Sequence, residues 1–132
     1  KAAIQWLSRL NEGVLNLPKI PTREELPLAP RWHEIPDLRG DKHAHLGMFD
    51  WHYRKVFDPD PKGTDAPLLG WALDDLADVY EDLSGGLALY QNGYPLNACH
   101  HWRMTYANHW GMHATGALVA IFFKHTKMRT QF

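Results

Sequence analysis

The chain has 132 residues, 45% of them hydrophobic and 22% charged, proportions that suit one compact domain or subunit and exclude wholesale disorder. A formal net charge of −1 excludes the basic excess usual in nucleic-acid binders. One cysteine, Cys99, excludes an internal disulfide framework and any cysteine-rich zinc module.

Residues 1–17 read as an amphipathic helix. Ala3, Leu7, Leu10 and Val14 recur at helical spacing, and Gly13 followed by Pro18 ends the pattern. The chain opens on Lys1 rather than Met. A removed targeting peptide would explain that, and so would a truncation.

Residues 18–67 read differently, because eight of the nine prolines fall there. Proline at that density removes helix donors and clashes with preceding turns, so the expectation is an extended arm with short helical pieces around residues 46–55. A stretch of that kind has no core of its own and calls for a partner to lie along. It also carries the spaced histidines His43, His45 and His52, with Asp41 and Asp50 close by. Zinc accepts imidazole and carboxylate, so this cluster is a metal candidate, but irregular backbone does little to fix ligand geometry. The expectation is that these histidines hold no metal.

Residues 68–84 form the clearest amphipathic helix. Leu69, Ala72, Leu76, Val79 and Leu83 make an apolar stripe, with Asp74, Asp75, Asp78, Glu81 and Asp82 on the other side. Pro67 can precede a first turn, and Gly85-Gly86 is expected to stop it.

Pro95 can open another helix, and no further proline interrupts residues 95–127. Inside it, residues 114–123 are the most apolar run of the chain. The stretch 107–123 is expected to be embedded in a membrane, although its length is borderline for a free-standing span. Trp102, Tyr106 and Trp110 would anchor one boundary, and Lys124, Lys127 and Arg129 the other. Gly111 and Thr115, and Gly116 and Ala120, repeat a small-xxx-small spacing that lets a partner helix approach. His109 and His113 share a helix face and could jointly ligate a metal or haem. The reading adopted is that they are polar anchors at the membrane boundary. Cys99 and His100 are only sequence neighbours and make no nucleophilic dyad, and no catalytic residue is assigned.

Charge is segregated along this order. All fifteen acids lie at or before Asp82, and the last fifty residues carry none. That bias fits a back half placed where carboxylates are costly, such as lipid.

The segment from Asn108-His109-Trp110-Gly111-Met112-His113 through Phe123 into Lys124-His125-Thr126-Lys127-Met128-Arg129 resembles short single-span accessory subunits of mitochondrial energy-transducing complexes. The likeness is to a membrane-arm accessory subunit of respiratory complex I or to subunit f of ATP synthase. The resemblance implies a non-catalytic subunit of an inner-membrane oxidative-phosphorylation complex, with no cofactor. Its partners would be other subunits and membrane lipid. The expected fold class is mainly α: an extended proline-rich arm, amphipathic helices, one C-terminal transmembrane helix and no independent globular core. Two rival readings are a small soluble His-rich metal-binding enzyme and a soluble helical adaptor.

Overall fold

The computed structural model describes residues 1–18, 24, 26–35, 46–55 and 68–130, with Leu68 and residues 128–130 described by backbone alone. Helix α1 spans Ala2–Leu15. A 3-10 turn follows at Trp32–Glu34 and another at Gly47–Phe49. Strands β1 (His52–Lys55) and β2 (Leu68–Trp71) pair antiparallel, with Tyr53 opposite Gly70. Helix α2 covers Ala72–Gln91, α3 covers Pro95–Thr105, a π turn covers Tyr106–Trp110, and α4 covers Gly111–Thr130.

The spacing of apolar residues in α1 does what an amphipathic helix requires. Leu7 and Val14 are buried, and Ala3, Ile4 and Leu10 pack beside them. Residues 68–71 depart from the expected first helical turn. Their backbone pairs with β1, and the Ala72 N–H then bonds the Trp51 carbonyl at 3.1 Å, so α2 starts directly off the hairpin. Leu69 stays on the strand and is exposed, while Ala72, Leu76 and Val79 turn into the core.

Helix α2 runs through Gly85-Gly86 instead of stopping there. A Cβ on Gly86 would lie 2.0 Å from the Trp102 indole nitrogen, and one on Gly85 would lie 3.0 Å from Trp32 and His101. The bare backbone lets α3 settle onto α2. There the Trp102 indole N–H donates to the Leu83 carbonyl and the His101 Nε2–H to that of Asp82, both at 3.0 Å. Each interior glycine costs a helix about 1 kcal/mol relative to alanine, and this close packing offsets it. The helix stops at Gly93, whose φ of 89° is open to glycine. The Tyr94 N–H reaches back to Leu89 O and the Gly93 N–H to Tyr90 O, closing the end before Pro95 begins α3.

Between α3 and α4 the backbone widens for one turn. The Gly111 N–H bonds the Tyr106 carbonyl, five residues back. A Cβ at Gly111 would sit 2.4 Å from that oxygen, so the turn depends on glycine there. Trp110 is 1% exposed and sends its indole N–H back to the Trp102 carbonyl at 3.2 Å.

A hydrophobic core corrects two expectations. Leu7, Val14, Leu76, Val79, Trp110, Ala114, Ala117 and Ile121 form one buried cluster from α1, α2, the π turn and α4. Leu46, Phe49 and Trp51, within the stretch read as an arm, pack against it. The helices therefore share a core, contrary to the expectation of none. The second correction concerns the transmembrane helix: among the described residues no helix is long and apolar enough to cross a membrane. Within residues 114–123 one face, Ala114, Ala117, Ala120 and Ile121, packs inside the protein, while Val119, Phe122 and Phe123 are exposed. The expected membrane and oxidative-phosphorylation roles lose the span on which they stood.

Several of the residues assigned to lipid boundaries and helix packing lie against other parts of the chain. Trp102 and Tyr106 pack against the core that holds Trp110, and Lys124 lies 4.0 Å over the Trp51 ring. Lys127 is exposed on α4, and the Arg129 side chain lies outside the described residues. Thr115 is exposed and its hydroxyl donates to Gly111 O, while Ala120 is buried.

Candidate metal centre

Helix α2 projects Asp75, Asp78 and Asp82, spaced three and four residues apart, along one face. The π turn and the start of α4 project His109 and His113 at helical i, i+4 spacing toward that face. Packing of α2 against the π turn and α4 brings the two sets together.

The contacts are ordered. Asp82 Oδ2 lies 2.7 Å from His109 Nδ1, and Asp75 Oδ1 lies 2.7 Å from His113 Nδ1. With Nδ1–H donated to a carboxylate, each neutral ring carries its lone pair on Nε2. Both Nε2 atoms point at the same Asp78 Oδ2, at 3.8 Å from His109 and 3.4 Å from His113. Those separations exceed the 2.7–3.2 Å of an N–H···O bond. They approach the spacing of about 3.3 Å between ligands in a tetrahedral zinc site with bonds near 2.05 Å. The three donor atoms, one each from Asp78, His109 and His113, lie within 4.8 Å of one another. Gathering them around one ion needs a closure of about 1.5 Å or less at the widest pair. That closure would fall on the 49% exposed His109 side chain and would have to carry its 2.7 Å contact with Asp82 along.

Burial grades across the cluster. Asp75 is 4% exposed, a depth at which an uncompensated carboxylate would be costly. It is compensated on both oxygens, because the Tyr53 hydroxyl donates to Oδ2 at 2.6 Å while His113 holds Oδ1. Burial, together with the Asp75 contact, pushes the Tyr53 phenol well above its usual range, so it stays protonated and a donor. The hydrogen bond to Asp75 pulls His113 upward from the ordinary histidine value, against the opposing effect of burial. His101, on α3, is pushed down by burial. His109 forms the solvent side of the cluster, its side chain 49% exposed against 17% for Asp78.

The sequence had placed the two halves of this cluster separately. By sequence the acids of α2 lie opposite its apolar stripe, and His109 and His113 read as polar anchors for a membrane helix. The site joins them. Gly116, expected to admit a partner helix, faces Tyr53 and Asp75 inside the protein. Tyr53 was missed altogether because it lies in the stretch read as an arm. Of the rival cluster the structure describes His52, which is exposed and stacks on Trp71 with ring centroids 5.5 Å apart. His43 and His45 lie outside the described residues.

The fold and the site define a small α-helical domain, clasped by one hairpin, with a candidate two-histidine, one-carboxylate metal centre. The family model for a domain of unknown function (DUF5063) matches residues 1–126, and the chain belongs to that family. Neither a curated protein nor a solved structure matches it.

Proposed function

We propose that this domain binds one divalent transition-metal ion through Asp78 Oδ2, His109 Nε2 and His113 Nε2. The observation that carries the reading is the pair of carboxylate–imidazole contacts at 2.7 Å, which turn both Nε2 lone pairs toward one shared carboxylate oxygen. Metal-ligating histidines are held in this way, with the outer nitrogen on a carboxylate that fixes tautomer and orientation. Two imidazoles and one carboxylate suit zinc, iron, cobalt or manganese better than magnesium or calcium, which prefer all-oxygen shells. Three protein ligands leave room for water or an exogenous ligand.

The test is a metal titration of the purified, chelator-treated protein. Cobalt(II) should bind at one equivalent with the visible absorption of a low-symmetry site, and zinc should displace it. A histidine pair four residues apart on a helix can bind metal weakly without a third ligand, so Asp78→Asn is the discriminating variant. It should lose affinity by about a hundredfold or more, beyond the 10–100-fold typical of outer-shell changes. If the parent and Asp78→Asn bind cobalt equally, or the parent binds none, the cluster is an electrostatic tie between α2 and α4.

A further inference from the structure

We propose that Tyr53 is a positioning residue of this centre, acting through Asp75 to hold His113 in the tautomer and orientation that present Nε2 to the ion. The proposal rests on the metal-centre reading.

The first observation is the unbroken chain of contacts. The Tyr53 hydroxyl donates to Asp75 Oδ2 at 2.6 Å, Asp75 Oδ1 accepts from His113 Nδ1 at 2.7 Å, and His113 Nε2 faces Asp78 Oδ2 at 3.4 Å. A carboxylate with one oxygen pinned by a phenol cannot rotate without breaking a hydrogen bond. Its other oxygen is thereby committed to the imidazole.

The second observation is independent of those hydrogen bonds: the fold provides a slot for this ring. Opposite Tyr53 on β2 stands Gly70, where a Cβ would lie 2.2–2.6 Å from the ring carbons. On α4 stands Gly116, where a Cβ would lie 2.8 Å from the Tyr53 hydroxyl and 3.9 Å from Asp75 Oδ2. Two glycines on different elements thus keep the ring and its oxygen against the buried carboxylate. Both are positions where a side chain would displace the phenol. The hairpin is therefore the element that delivers the outer partner of a ligand carried by α4, and the centre draws on β1, α2, the π turn and α4 together.

Two variants separate positioning from packing. Tyr53→Phe keeps the ring and removes the hydroxyl. Gly116→Ala keeps the hydroxyl and moves it, and it replaces a helix-interior glycine with a better helix former. Zinc affinity is read by competition with a chromophoric chelator. The side-chain 15N–1H spectrum of metal-free protein, followed as pH rises until the His113 ring has lost its second proton, reads the tautomer. The parent should show the Nδ1–H tautomer. Tyr53→Phe should bind zinc about tenfold more weakly and show a tautomer mixture at His113. Gly116→Ala should weaken zinc in the same direction without loss of folded protein. Parental zinc affinity in both variants, with His113 still locked as the Nδ1–H form, would overturn the proposal and leave the metal reading standing. A parent that takes up no zinc would overturn the metal reading, while the tautomer spectra still report whether Tyr53 governs His113. Should Tyr53→Phe fail to fold, Gly116→Ala decides alone: parental zinc affinity there would count against the proposal.

Discussion

His113 donates to Asp75 across 2.7 Å, although the two residues stand thirty-eight positions apart in the chain. The contact ties α4 to α2 beside the core and gives the segregation of charge a structural meaning. The acids of α2 face the histidines that follow them, so the carboxylates missing from the back half are supplied by the front. Lipid is not needed to explain their absence.

A bound ion should stabilise the folded state, because the unfolded chain does not hold the three ligands together. Free zinc at a hundredfold excess over its dissociation constant contributes about 2.7 kcal/mol, which for a domain of this size raises the thermal midpoint by about 10 °C. Differential scanning fluorimetry with and without zinc, followed by excess chelator, checks the rise and its reversal. The rise should be absent in the double variant His109→Ala, His113→Ala.

The metal-free protein should have two partly buried histidines, His101 and His113, pulling stability in opposite directions with pH. His101 is held below its unfolded value near 6.5. The unfolded chain therefore binds more protons at acid pH, and the His101 contribution is full above about 6.5 and is lost as pH falls below it. His113 is held above that value. Its contribution is full below about 6.5 and is lost as pH rises through its folded value. Urea unfolding at pH about 5.5, 6.5 and 7.5 in chelator should show His101→Gln flattening the acid limb. His113→Gln should flatten the alkaline one. A parental profile in His101→Gln would mean that His101 titrates alike in the folded and unfolded chain.

Glycines that look alike in the sequence should respond oppositely to alanine. Gly13 in α1 has nothing within 4 Å of an added Cβ, so Gly13→Ala should stabilise by about 0.5–1 kcal/mol. Gly86 would drive its Cβ to 2.0 Å from the Trp102 indole, and Gly86→Ala should destabilise by about 1–3 kcal/mol despite its better helix propensity. Denaturant midpoints at constant slope measure both. Equal effects at the two sites would contradict the close approach of α3 to α2.

Two leucines of one predicted stripe should also part company. Leu76 is 5% exposed within the core, and Leu76→Asp should cost about 2–5 kcal/mol through burial of an unpaired charge. Leu69 is 71% exposed on β2, and Leu69→Asp should change stability by no more than about 0.5 kcal/mol. Equilibrium urea titration of the two variants beside the parent is the check.

What the sequence determined by itself is what repeats within a few residues. Ala3, Leu7, Leu10 and Val14 announce α1, and Ala72, Leu76 and Val79 announce the buried face of α2. Pro95 announces the start of α3, and the i, i+4 spacing puts His109 and His113 on one face. Only the tertiary structure decided what those faces meet. The apolar run at residues 114–123 is compatible with lipid or with a protein core, since hydropathy does not distinguish the two for short runs. Leu7, Leu76 and Trp110 cluster with Ala114, Ala117 and Ile121, which makes one face of the run part of a protein core. Gly85-Gly86 would end an isolated helix, but Trp102 and His101 pack onto it and carry it through. The candidate site needs contacts across sequence separations of 22, 27 and 38 residues. No local periodicity encodes such contacts, because they follow from how α2, α4 and the hairpin pack.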